Sequence, residues 1–590
     1  MFARTCTVGR ETTIAFASVS RGDDIFTAPV VSATVSMHPL LLSPETISLL
    51  ERVSVALLVG GLVLSYLVVY RLGDRPSPFQ RLRTRFIVGI PWGTVLVVVG
   101  VYLVYHVVQG AGDPGGPNVV GFRSWSLWYP QGILFSWLSH ASSAHLTGNL
   151  LATVVFGGIA EYAWSHYPTE TGQQSFSSWR TNPYARVGLY VVGISAVGLA
   201  GSVFVPGAII GFSGVVFALA GVAIVTRPLV TVGGILGLEG VDLVYSGFQN
   251  PVGFAEARPD FSVPYWADTA LQGHLFGLVA GVLLGVALLR YRKRSPNIGH
   301  VWFAALVFTV SRSMWTLFWF LSDTEFVLFR GLGAASVVVL ASIIAIATLP
   351  DPRPLVGERI EVPARRVGVV ILVVLVVLVA LAGVPYNLAD VSSGDGVDGG
   401  IEIDGYTVTY AENVEDQYTS LDIPVVGDAL SVDASGVIVT SDKRNVWSLE
   451  TPRDELALNG FSVVVIGDST WREVVIMNHT QWQLSGGNST YKVYGQHWQE
   501  MDDQQLLFTA PLGEGQPTIN GSRFGIVPST EFYDIAVLGE NGTRDRVQMP
   551  AHNESVDLAG VTFTRKNNRL IARHEQTELL FAEYRTERER

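Results

Sequence analysis

Cysteine is nearly missing: the 590-residue chain holds one, Cys6. No disulfide framework, thiolate zinc site or catalytic cysteine can therefore be built into its core. The eleven histidines are scattered and form no HExxH pair, so zinc-peptidase chemistry lacks its ligands and no metal or organic cofactor is expected. Charge is scarce too, 15% of residues against 48% hydrophobic, less than a soluble chain of this length carries. Lysine is almost absent while arginine is common, the composition of a salt-adapted protein. The first 46 residues lack a signal peptide's pattern, and Met37 is an alternative start that would leave a short exported leader.

The scarcity of charge is uneven. Residues 50–385 hold long apolar runs broken by short polar loops, whereas 390–590 read as a water-soluble domain. That tail carries 32 Asp and Glu against 15 Lys and Arg, about −17, leaving the remainder near +5. Such acidity argues against a nucleic-acid partner.

About 20 helical residues cross a hydrocarbon core, and ten stretches qualify: 50–70, 86–108, 146–165, 186–204, 211–227, 229–247, 269–290, 299–321, 326–349 and 367–385. Arginines crowd every second loop: Arg71 to Arg85, Arg180 and Arg186, Arg227, Arg290 to Arg294, then Arg353 to Arg366. The positive-inside rule makes these loops cytoplasmic and leaves both termini outside. Five N-x-S/T sequons, at Asn478, Asn488, Asn520, Asn541 and Asn553, all fall in the tail. That suits an exported surface, although a polar tail accumulates such triplets by chance. Within it, short β-rich runs alternate with Gly, Asn and Asp turns. Val561–Thr564 and Leu570–Arg573 read as a hairpin around Lys566-Asn567-Asn568, and the whole as a small β-sandwich. The Gly/Asp/Ser-rich stretch 391–400 reads as a flexible linker.

Polar side chains inside a membrane segment are costly and usually have a reason. Ser213 opens the helix 211–227 within Gly211-Phe212-Ser213-Gly214. His274 lies about a turn into 269–290. His145 and Asn149, four residues apart, share one face at the start of 146–165. All three helices start on the outer side, so the four groups reach one shallow depth, within roughly two turns of the edge. Peptide hydrolysis needs a nucleophile, a base and donors for the oxyanion. Ser213 can be the first, His274 the second, and the Ser213 N–H with His145 and Asn149 the third. Each piece alone has a plainer reading. GxSG in a glycine-rich helix is more often a packing motif, a lone membrane histidine more often structural, and an i,i+4 His/Asn pair more often a helix tie.

Together, in this order, they resemble rhomboid proteases. The segment Leu138-Ser139-His140 through His145 to Asn149 is similar to that family's His…His-x-x-x-Asn, and Phe156-Gly157 with Glu161 to the Phe-Gly…Glu that follows. Gly211-Phe212-Ser213-Gly214 resembles the nucleophile motif, and Gly273-His274-x-x-Gly277-x-x-x-Gly281 the histidine helix. The likeness covers about residues 86–292.

It implies an all-α polytopic membrane protein with a six-helix rhomboid core and about four extra transmembrane helices, followed by a C-terminal β-rich extracytoplasmic domain. The divisions would be a leader at 1–49, an extra helix and basic loop at 50–85, the core at 86–292, three helices at 293–389 and the acidic domain at 390–590. Ser213 and His274 would form a catalytic dyad without an aspartate, with His145 and Asn149 lining the oxyanion hole and His140, Gly211 and Gly214 near it. Gly277 and Gly281 would let the histidine helix approach the serine helix. Loop 109–144 would lie partly in the outer leaflet, helix 229–247 and loop 249–268 would gate substrate entry, and Glu161 would be a structural hydrogen-bonding residue. Partners would be transmembrane protein substrates and the lipid bilayer.

The sequence departs from the family where Phe217 replaces a tyrosine, Gly273 replaces an alanine, and Arg123 and Trp125 stand in place of a Trp-Arg pair. Arg312 and Arg330 read as snorkelling to the interface or pairing with Glu239 or Asp242. Two other classes stay open: a non-catalytic rhomboid-like scaffold binding membrane-protein clients, and a transporter with a polar midplane site, for which Glu239 and Asp242 are the best support.

Overall fold

Among the described residues, seven helices have the length and apolar character to cross a bilayer, and three shorter apolar helices accompany them. The protein is a multi-pass membrane protein with a C-terminal β-rich domain. The structure, a computed structural model, describes residues 44–72, 78–168, 173–252, 262–267, 270–321, 325–350, 363–389, 397, 399–417, 432–500, 503–539 and 542–585. Cys6, Met37, the leader to residue 43, most of linker 391–400, much of loop 249–268 and Asn541 lie outside them.

The chain divides into two compact units, residues 1–74 with 241–256, and 75–240 with 257–590. In the first, α1 (Pro44–Leu72) is 29 residues long and exposes apolar side chains such as Leu57, Val63 and Leu64.

In the second unit, α2 (Trp92–Val108) begins behind Pro91, which cannot donate to a preceding turn. It is followed by α3 (Ser143–Trp164), α4 (Pro183–Phe204), α5 (Ser213–Thr226) and α6 (Pro228–Gln249, passing into the first unit at Val241). Then come α7 (Leu271–Tyr291), α8 (Ile298–Ser311), α9 (Arg330–Ala347) and α10 (Ala364–Leu388). α5 is the central post. Its 14 residues span only about 21 Å, and ten of them are buried, as an all-apolar, small-residue helix requires.

Two expected helices are shorter than hydropathy suggests. α8 ends at Ser311 rather than 321, and Phe318–Phe320 pairs antiparallel with Phe326–Leu328, so α9 begins only at Arg330. Ser313 has a positive φ of 53°, which breaks the helix. The aromatic run beyond it has strand propensity that an apolar average does not register. Glu239 pairs with Arg312 at 3.3 Å, and the Arg330 guanidinium lies 5.9 Å from the Trp315 ring centre.

The β domain is larger than a small sandwich. An eight-stranded and two four-stranded antiparallel sheets enclose separate apolar cores around Val408 and Val475, around Phe524 and Phe563, and around Trp447. The expected hairpin is there, Val561–Lys566 against Arg569–His574, with Asn567 at φ 51° in its two-residue turn.

This domain docks on the end of the bundle where α5 begins. Val120, Trp125 and Tyr129 of the loop after α2 are buried in the same core as Tyr406 and Val475, with Ala208 packed against it. The Arg472 guanidinium donates to the carbonyls of Gly110, Pro114 and Gly116. Asn387, fully buried on α10, donates to the carbonyls of Val203 (3.0 Å) and Val205 (2.8 Å), while its own carbonyl accepts from Leu127 N–H (2.9 Å).

Candidate active site

Close approach of α5 and α7 comes first. A β-carbon on Gly277 would stand 2.0 Å from the Gly214 carbonyl oxygen, and one on Gly281 1.9 Å from that of Ala218. Only glycine admits this contact. It brings the second turn of α7 level with the first residue of α5.

There the Ser213 hydroxyl and His274 Nε2 share a hydrogen bond of 2.9 Å. The Phe217 ring, one turn along α5, lies parallel to the imidazole with centres 4.0 Å apart and planes 7° apart. His274 Nδ1 is buried and has no hydrogen-bond partner among the described residues, so stacking orients the ring where other hydrolytic sites use a carboxylate. The N–H groups of the first turn of α5 have no acceptor within the helix and carry its positive dipole end. A cleft of about 30 Å³ reaches Ser213 and His274 between Trp137, Gly198 and Val205, room for a water.

His145 and Asn149 approach from α3. The backbone of Gly211, at φ 126°, is so near the His145 ring that a β-carbon would lie 2.6 Å from its Cε1. Asn149 is 8% exposed and its buried amide nitrogen has no partner among the described residues. An unsatisfied buried donor costs free energy, and this one stands one turn along α3 from His145, whose ring meets Gly211. His140 is fully buried, edge-on to His145 at 5.0 Å and to Tyr105 at 6.2 Å. Burial first, then His145, pushes its pKa down to about 3, so it is neutral. Gln109, which sequence reasoning missed, fixes it: its amide donates to the His140 carbonyl (3.1 Å) and its oxygen accepts from His140 N–H (2.8 Å). Arg123 sits 5.8 Å from the Trp125 ring centre.

Glu161 lies apart, at the other end of α3. It accepts from Gly93 N–H (2.8 Å), Thr94 N–H (2.7 Å) and the Thr94 hydroxyl (2.7 Å), the otherwise orphaned donors that open α2. His166 adds a fourth bond at 2.6 Å. Its Nδ1 accepts from Ile87 N–H (3.0 Å), so Nε2 must carry the proton that Glu161 receives. No sequence signal singled out His166, Gln109 or Asn387. Among the described residues, no cluster of His, Cys, Asp and Glu could hold a metal ion.

Comparison with known proteins adds nothing to this geometry: no protein-family model, curated protein or solved structure matches the chain.

Proposed function

We propose that the protein is an intramembrane serine endopeptidase of the rhomboid kind, cleaving single-pass membrane proteins. Ser213 acts as nucleophile. His274 takes its proton and returns it to the leaving amine, and the first N–H groups of α5 with Asn149 and His145 bind the oxyanion. The observation that carries this reading is the 2.9 Å bond between Ser213 Oγ and His274 Nε2, held on two helices that glycine brings into backbone contact. A half-buried serine–histidine bond, with a buried and unspent amide on the neighbouring helix α3, is poor packing chemistry and good hydrolytic chemistry. The β domain, docked on the loop that carries His140, would recruit or filter substrates from the same side.

The test is cleavage in proteoliposomes of a reporter whose transmembrane helix carries small, helix-destabilising residues near one end. Wild type is expected to cut it and Ser213→Ala to leave it intact. Binding of the reporter without cutting, equal in both proteins, would move the reading to a non-catalytic scaffold.

A further inference from the structure

At the end of the bundle opposite Ser213, six arginines converge with no acidic counterpart among the described residues. Arg186 is 7% exposed. It donates to the carbonyls of Trp164 (2.6 Å), Ser165 (2.8 Å) and Arg180 (3.2 Å), with its guanidinium 3.9 Å from the Trp164 ring centre. Arg292 hangs on the same Trp164 carbonyl. Among the described residues no carboxylate pairs with Arg85, Arg180, Arg186, Arg227, Arg292 or Arg294. Burial, then repulsion from Arg85, Arg186, Arg294 and Arg227, lowers the Arg292 pKa to about 10. Neutral carbonyls alone, the Trp164 one shared, do not offset a buried and a half-buried guanidinium ion.

An apolar groove runs down from this cluster. It encloses about 600 Å³ between α4 and α7, with α5 as its floor, walled by Leu189, Gly193, Val197, Leu284 and Leu288 and closed at the charged end by Trp179, Arg180, Arg186 and Arg292. A chain-like apolar cavity that ends in cations with no carboxylate partner among the described residues matches one occupant in both halves.

We propose that this groove binds an anionic phospholipid, its acyl chain along α4 and α7 and its phosphate between Arg180 and Arg292. Arg186, already committed to three carbonyls, frames the headgroup site. The headgroup end lies at the opposite end of α5 from Ser213, the far end of the groove reaches Val197, which also lines the cleft at Ser213, and the proposal does not rest on the peptidase reading.

The full-length protein in detergent is equilibrated with equal phosphatidylglycerol and phosphatidylcholine, freed of excess by gel filtration, and its retained lipid counted by mass spectrometry. Retention of phosphatidylglycerol is expected to exceed that of phosphatidylcholine about tenfold. The Arg180→Gln/Arg292→Gln variant should bring the ratio near one, while Arg292→Lys keeps most of it. Gly193 faces open space, so Gly193→Leu fills the groove without touching charge and should cut retention of both lipids about fivefold. Circular dichroism and elution volume establish that each variant is folded. Equal retention of the two lipids by wild type, or a Gly193→Leu variant that holds lipid like wild type, overturns the proposal. Displacement of the lipid by millimolar inorganic phosphate overturns it too, because the cluster would then be a site for a soluble anion.

Discussion

A serine hydroxyl is only as nucleophilic as the imidazole beside it is well placed, and here the imidazole rests on a phenyl ring. Under the proposed reading Phe217→Ala leaves His274 unanchored and lowers the rate about tenfold to a hundredfold, while Phe217→Tyr keeps most of it; initial rates of reporter cleavage check both. Asn149→Ala separates catalysis from packing. It removes a buried donor that satisfies nothing in the resting protein, so thermal stability should hold or rise, while cleavage falls about a hundredfold or more. A variant that loses stability and rate together would make Asn149 structural. These residues were legible in the sequence because each stands in a short local pattern. Gln109 was not, since its partners Asn118 and His140 lie 9 and 31 residues away and nothing local announces a clamp.

Helices are placed here by backbone contact and by caps. Gly277→Val or Gly281→Val would drive a side chain into a carbonyl on α5, and folded protein recovered after solubilisation should drop steeply. Gly237→Ala, on an open face of α6, should be neutral or gain up to about 1 kcal/mol. Glu161→Ala strips the start of α2 of its acceptor and strands His166, costing about 2–4 kcal/mol, read as a lowered unfolding temperature in detergent. The ten apolar stretches could be found from hydropathy alone, while the glycines that pack α5 on α7 are expected from the resemblance to rhomboid proteases. The end of α8 could not, because an apolar average weighs a phenylalanine alike in helix and strand. Nor could Asn387, whose partners Val203 and Val205 lie 184 and 182 residues earlier.

At the scale of the whole molecule, the membrane bundle and the β domain share a core through the loop after α2. Arg472→Ala should loosen both sides of that seam, seen as faster amide exchange in 109–132 and in 461–484 together. The β domain also carries an acid sensitivity of its own. His479 is buried, with Nε2 unpartnered, and burial lowers its pKa from 6.5 to about 4. The unfolded chain therefore binds a proton that the folded domain refuses. The stability is present above pH 6.5 and is lost as pH falls toward 4, by up to roughly 3 kcal/mol. Amide exchange in Arg472–Leu484 between pH 7 and 4 should show this, and His479→Gln should flatten it. That the tail is a β domain followed from its alternating runs and turns. The closure of the largest sheet pairs Ala582 with Leu484, and the domain's seat on the loop that holds His140 rests on contacts such as Arg472 to Gly110, 362 residues apart, which no local pattern announces.

The central claim is an activated serine at Ser213, and the most direct test is labelling by a fluorophosphonate probe in reconstituted membranes. Wild type is predicted to label at Ser213, with Ser213→Ala and His274→Ala both silent. Folded wild-type protein that labels no better than Ser213→Ala would contradict the account.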